Sequence, residues 1–280
     1  MNPLPTPVIS VRTVGFMRPL VWLGMGWRDI QHSGIASLSH GLMLTFIGAA
    51  IVAFARDKFW LLAGALTGFL VVAPVLATSL YALSRAIERE EPADWEVIAQ
   101  TWLNWQNQRL NRWSEDYWCM LRFGILLASA ATTWVLTSAA LITLLAPAPV
   151  NSPADFIQLV VLSPHGWLFE LWLAMGAILA APMFASSVVA MPLLLDRKVN
   201  VKTAVLTSWQ VVLSNPGVMA WWAALIMGFT FLGLASLLIG LIFVIPMLGH
   251  ASWHAYRDLV APDIDAHLQD KGSTPATGAK

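Results

Sequence analysis

LSHGLMLTFIGAAIVAFA-RDK-FWLLAGALTGFLVVAPVLATSLYAL, residues 38–83, is the stretch on which the fold turns. An apolar run over 38–55 meets Arg56, Asp57 and Lys58, and a second run follows over 59–83. A helix needs about 20 mostly apolar residues to cross about 30 Å of hydrocarbon. The two runs therefore read as two transmembrane helices, and the charged break as a tight hairpin.

Working outward, 123–145 is a third span closed by a loop with Pro147 and Pro149, and 167–195 a fourth closed by Asp196, Arg197 and Lys198. The last apolar region, 217–250, would reach about 50 Å as one helix, too long for one crossing. It is expected to be two helices with a turn near 233–236, the sixth running to about Tyr256. The expected fold class is an all-α polytopic membrane protein of six transmembrane helices arranged as three hairpins, with approximate spans 38–55, 59–83, 123–145, 167–195, 217–233 and 236–256. Residues 1–36 form an N-terminal segment with an interfacial helix, 37–260 the transmembrane domain, and 261–280 a polar tail too poor in apolar groups to order itself.

Composition agrees. The 280 residues are 58% hydrophobic and 11% charged, far below the charged share of about a quarter in soluble domains. Sixteen basic and sixteen acidic residues cancel, so no electrostatic case exists for nucleic acid as a partner; the lipid bilayer and other membrane proteins are the expected ones. The single Cys119 excludes an internal disulfide and reads as a small apolar residue at a helix start. The first ten residues carry three prolines and no apolar run, so no cleavable signal is expected there.

Orientation follows from the basic residues. In the six-span arrangement fourteen lie on one face, from Arg12 and Arg18 to Lys271 and Lys280, and only Arg56 and Lys58 on the other. Both termini are thus expected in the cytoplasm. With five spans, Arg257, Lys271 and Lys280 would change sides and the count would fall to eleven against five.

The even-numbered spans share a proline followed by small residues: Pro74, Ala77, Thr78, Ser79; Pro182, Ala185, Ser186, Ser187; and Pro246, Gly249, Ala251, Ser252. Each hairpin is preceded by a Trp-bearing, partly polar segment, over 22–33, 95–113 and 201–215. In the middle one Trp95, Ile98, Trp102, Trp105 and Leu110 recur at helical spacing among polar residues, the pattern of a helix in the headgroup region. Three copies of an interfacial helix plus a hairpin are therefore expected. Pro74, Pro182 and Pro246 serve helix kinking and packing, or line a central cavity as kinked helices do in transporters.

Ionisable residues inside hydrocarbon mark function by default, and the sequence offers few. Glu170 sits one turn into the fourth span, Arg122 can snorkel, and the interior is expected to lack an acidic or basic relay. His250 and His254 share a helix face, and His40 begins the first span at the same level, a possible metal site. The pattern lacks the glutamate of a zinc-protease helix, and no metal or cofactor is expected. His32, His165 and His267 fall in loops or tails, and no nucleophile elbow, phosphate loop or dinucleotide fingerprint occurs, so no catalytic residue is assigned. The residues singled out for binding are His40, His250, Trp253, His254, Tyr256 and Arg257, with 26–29 as a neighbour. Arg28 with Asp258, or Asp29 with Arg257, would pair if the first and third copies adjoin.

Gly26-Trp27-Arg28-Asp29, Ser84, Arg85 and Glu88, Asp196-Arg197, and above all Gly249-His250-Ala251-Ser252-Trp253-His254-Ala255-Tyr256-Arg257 resemble the DUF2189 family. The resemblance spans roughly 15–260. It implies an uncharacterised, multi-pass bacterial inner-membrane protein and no established activity. The functional expectation is a noncatalytic protein that moves a small or lipidic molecule. The alternatives are a scaffold or assembly factor, for instance accessory to a respiratory oxidase, and a metal- or haem-binding protein using the cytoplasmic-side histidines.

Overall fold

A computed structural model describes residues 9–111, 115–163, 166–197 and 199–261, with side chains described outside 70–75 and 104–127. The expected disordered tail, His165, His267 and the side chains of Pro74, Cys119 and Arg122 lie outside the described residues.

Among the described residues the chain is helical apart from one isolated antiparallel bridge between Val11 and Val260. Helix α1 (Arg18–Ser33) starts on Pro19, whose fixed φ suits a first turn, and stops at Gly34. Gly34 takes φ 53°, a left-handed conformation that costs a side-chain-bearing residue dearly, so α2 (Ile35–Ala55) begins at once on a new axis. The charged triplet turns the chain into α3 (Phe59–Leu76), and a break at Ala77 leads into α4 (Thr78–Glu88). There follow α5 (Trp95–Asn111), α6 (Glu115–Leu145), the short α7 (Pro153–Phe156) with a π turn, and α8 (Trp167–Ser187). After α9 (Ala190–Asp196) come α10 (Val201–Ser214), α11 (Pro216–Ala235) and α12 (Leu241–Leu259).

Among the described residues four helical stretches are long and apolar enough to cross a membrane: Ile35–Ala55, Ala128–Leu145, Trp167–Asp196 and Pro216–Ala235. The final region is two helices, but the turn lies at 236–240, beyond the expected 233–236. Ser236 Oγ bonds the Gly233 carbonyl and accepts from Gly240 N, while Leu237 and Leu238 carry the positive φ angles. Gly233 has a different task. A Cβ there would lie 2.6 Å from Leu241 Cδ2, so its missing side chain lets α11 and α12 approach.

The amphipathic helices form where expected, yet pack on the hairpin before them rather than the one after. Trp102 Nε1 of α5 donates to Ser79 Oγ of α4 at 2.7 Å, and Trp209 Nε1 of α10 to Ser186 Oγ of α8 at 2.9 Å. Both pairs are 23 residues apart, which matches Ser79 to Ser186 and shifts the expected repeat register by one. The N-terminal α1 completes the cycle by packing on α12.

Helix α12 is the hub, touched by α1, α2, α4, α9 and α11. Pro246 has no N–H for the carbonyl of Ile242 one turn earlier. Gly41 of α2 lies against that carbonyl so closely that a Cβ would sit 2.1 Å from it. Gly26 of α1 likewise meets the Met247 carbonyl, where a Cβ would be 2.6 Å away. Pro246 is thus buried in tight packing, whereas Pro182 is exposed on the surface of α8, so these two prolines do not face a common interior.

Candidate functional site

Two polar stripes with four-residue spacing face each other where α1, α2, α4 and α12 meet. Asp29, Ser33 and Ser37 run along α1 and into α2; His250, His254 and Asp258 run along α12. Helical spacing puts the α12 set on one face and Asp29 above Ser33 on α1, and the turn at Gly34 leaves Ser37 Oγ of α2 beside Ser33 Oγ. The close backbone approach at Gly26 and Gly41 brings the faces within hydrogen-bond reach.

At the centre is His250, fully buried. Its Nε2 lies 2.7 Å from Ser37 Oγ and its Nδ1 2.7 Å from Ser84 Oγ of α4. Ser84 Oγ is 2.6 Å from Asp29 Oδ2, which also meets His254 Nε2 at 2.8 Å. Ser37 Oγ continues at 2.5 Å to Ser33 Oγ, and Ser33 donates to the Asp29 carbonyl at 2.7 Å. The result is a closed loop of hydrogen bonds through four helices, with Asp29 and His250 on opposite sides. Burial pushes the Asp29 carboxyl up. The hydrogen bonds from His254 and Ser84 and the nearby histidine charges outweigh it, and the group sits below its ordinary value.

The expectation of no ionisable relay concerned the apolar spans, and this buried cluster of ionisable groups is assembled between helices instead. No single apolar span contains it: Asp29 precedes every candidate span, and each helix contributes only one or a few members. The sequence reading named 26–29 as a neighbour of the histidines but gave Ser33, Ser37 and Ser84 no role in the site. The signal it passed over was the four-residue spacing of Asp29, Ser33 and Ser37.

His40, singled out with the other histidines, is close enough for its charge to act on His250 but takes no part in the loop, its Nδ1 lying 3.0 Å from the Ala36 carbonyl of its own helix. Among the described residues no group of three His, Cys, Asp or Glu side chains is arranged to hold a metal ion. Both ring nitrogens of His250 already face serines, and His254 faces Asp29.

Below the loop, the charged ends of the three even-numbered hairpin helices converge. Arg257 bonds Glu88 of α4 (Nη2 to Oε1, 2.6 Å), which also accepts from Trp253 Nε1 at 3.1 Å. Tyr256 donates to Asp196 of α9 at 2.5 Å, and Arg85 donates to the Leu195 carbonyl at 2.8 Å. The first and third copies do adjoin, but through other partners than expected. Asp258 pairs with Arg18 (Nε to Oδ2, 2.5 Å) and accepts from Trp22 Nε1 at 2.6 Å, while Arg28 is exposed and Asp29 takes His254. Trp22 in turn meets Trp222 edge-on, with ring centroids 5.6 Å apart. Asn215 straps the N-terminal segment down, accepting from Val14 N and donating to the Arg12 carbonyl, each at 3.0 Å.

Residues 61–196 match the family model DUF2189, described as a predicted integral membrane protein. No curated protein and no solved structure matches the chain. The matched region takes in Ser84, Glu88 and Asp196, three of the groups that hold α12, but neither Asp29 nor the α12 histidines.

Proposed function

We propose that this integral membrane protein of the DUF2189 family is a noncatalytic carrier of a small or lipidic molecule in the bacterial inner membrane. It would have six spans and both termini in the cytoplasm. The observation that carries the reading is the buried loop through Asp29, Ser84, His250 and Ser37, which ties α1, α4 and α12 to the candidate span α2: ionisable groups buried against a membrane-spanning bundle are costly and are characteristic of transport paths. Interruption of the even hairpin helices at Ala77 and at 188–189 supports it, since broken helices and internal repeats are the architecture of many carriers.

The bridge between Val11 and Val260 supports six spans, because it puts both ends of the described chain at one level and so favours an even number of crossings. Helix α12 falls short of the apolarity of the other four because its polar face is enclosed by α1, α2 and α4, where lipid does not reach it. The alternative, a scaffold or assembly factor for other membrane proteins, is favoured by the tight packing around Pro246 and by the exposed position of Pro182.

The test is reconstitution into phosphatidylethanolamine–phosphatidylglycerol vesicles holding a trace of headgroup-labelled fluorescent lipid and a pH-sensitive dye in the lumen. A carrier brings inner-leaflet label within reach of external dithionite, or admits protons down an imposed gradient, in proportion to protein. If vesicles with folded protein match empty ones in both respects, the carrier reading fails and the scaffold reading stands.

A further inference from the structure

Counting protons around the buried loop shows more than its distances do. Five contacts need one hydrogen each: Asp29 carbonyl to Ser33, Ser33 to Ser37, Ser37 to His250 Nε2, His250 Nδ1 to Ser84, and Ser84 to the Asp29 carboxyl. The three serine hydroxyls supply three. A neutral histidine beside an ionised aspartate adds one, which leaves two oxygens or an oxygen and a nitrogen facing each other lone pair to lone pair. With Ser33 committed to the Asp29 carbonyl and Ser84 to the carboxylate, the defect falls at the Ser33–Ser37 contact of 2.5 Å or at Ser37–His250 when the imidazole hydrogen is on Nδ1, and at His250–Ser84 when it is on Nε2. An unpaired contact of this kind inside a protein costs on the order of 1–3 kcal/mol.

Two arrangements supply the fifth hydrogen. In one, His250 is an imidazolium and Asp29 a carboxylate. In the other, His250 is neutral with its hydrogen on Nε2, and Asp29 is a carboxylic acid. Both keep the leg from Nε2 through Ser37 and Ser33 to the Asp29 carbonyl unchanged. They differ only in the leg through Ser84.

We propose that Asp29, Ser84 and His250 form a proton-binding site that retains one proton beyond the count of a neutral histidine and an ionised aspartate, and passes it between Asp29 and His250 through the Ser84 hydroxyl. Balance is kept at each atom. The Nδ1–H bond of His250 breaks as an O–H bond forms at Ser84, and the original Ser84 hydrogen moves to Asp29 Oδ2. Imidazolium and carboxylate become imidazole and carboxylic acid, and the reverse step restores them. The groups that bias the position of the proton are His254, bonded to the same carboxylate oxygen from α12, and His40 on α2, whose charge opposes a second charge on His250. Ser84 is a positioning residue that acts through its two neighbours. If the chain is the carrier proposed above, this proton is its coupling ion; the site itself follows from the geometry whether or not transport is found.

The experiment is nitrogen NMR of the full chain in detergent micelles, with its histidines labelled at both ring nitrogens and His250 assigned by loss of its signals in His250→Gln. Infrared difference spectra of wild type and Asp29→Asn report the protonated carboxyl. The expected result is an Nε2 that bears hydrogen at every pH at which the protein stays folded, with Nδ1 protonation and the carboxylic acid band of Asp29 varying in opposite directions. Ser84→Ala abolishes that reciprocity and Ser84→Thr restores it. A neutral His250, with either ring nitrogen bare, beside an ionised Asp29 overturns the proposal, as does reciprocity that survives in Ser84→Ala. Wild type alone decides the first point if the variants fail to fold. Because this readout needs no transport, silent vesicles with a reciprocal site would end the carrier reading and leave the proton site in place.

Discussion

The half of the molecule built from α1, α2, α4 and α12 and the half built from α3, α6 and α8 are held together differently. In the first, backbones meet at Gly26 and Gly41, and a closed polar loop links the helices. In the second, rings do the packing. Trp134 and Trp172 meet at a tilt with ring centroids 5.3 Å apart, Trp134 covers Gly176, and Phe156 and Phe169 close on Trp172, whose Nε1 donates to Ser138 Oγ at 2.6 Å. The contrast shows in two leucines: Leu44 on α2 is 2% exposed and Leu144 on α6 is 80% exposed. Lipid tails are as apolar as leucine, so burial alone does not drive helices together in a bilayer; van der Waals fit and hydrogen bonds must. The first half uses both at short range, and the second presents much of its surface to its surroundings.

The sharpest way to break this contrast is to place the same methyl group in each half. Gly41→Ala sets a Cβ 2.1 Å from the Ile242 carbonyl oxygen and should cost about 3 kcal/mol or more, the upper end of overpacking. Gly68→Ala on α3 meets no atom within 4 Å and should leave stability unchanged or raise it by up to about 1 kcal/mol through helix propensity. Thermal unfolding in detergent, followed by size-exclusion chromatography, checks both; equal effects would erase the distinction.

A second comparison removes the polar link from each half. His250→Ala strands Ser37 and Ser84 and should cost about 3 kcal/mol, as expected for opening a buried network. Trp172→Phe keeps the ring cluster and loses only the bond to Ser138, about 1 kcal/mol. The same melting assay ranks them, and a larger loss at Trp172 would show that the aromatic half carries more of the fold.

The smallest effect concerns the docking of α1. Burial pushes the Asp258 carboxyl up, but the bonds from Arg18 and Trp22 and the charges of Arg18 and His254 leave it below its ordinary 3.8. A depressed carboxyl contributes stability that is complete above the ordinary carboxylate range and is lost as pH falls through the folded value. Asp258→Asn should therefore lower stability by about 1 kcal/mol at neutral pH, with the difference from wild type shrinking only as pH falls below about 4 and vanishing below the depressed folded value. Melting curves of the two proteins across that range would expose a gap that persists in acid and so contradict the assignment.

Much of the architecture was legible in the chain itself. Runs of apolar residues, the Arg56–Lys58 break and the Trp-bearing segments put each helix close to where it stands, because length and apolarity are local properties. The expected turn at 233–236 missed its place for the opposite reason. Gly233 looks like a turn residue in sequence, but its use is set by Leu241, a contact between separate helices. The histidine segment of α12 was likewise marked by its composition, and His40 lies near enough for its charge to act on His250 while its Nδ1 meets the carbonyl of Ala36 on its own helix.

The sequence by itself determined a multi-helix membrane protein with a polar, aromatic end to its last helix. Only the tertiary structure decided that α1 folds back on α12, closing the cycle of repeats, and that Asp29 thereby meets His250 and His254 across more than two hundred residues of chain. The reason is physical: helix formation depends on neighbours a few residues away, whereas a buried acid acquires its partners only when glycines at 26 and 41 let separate backbones touch.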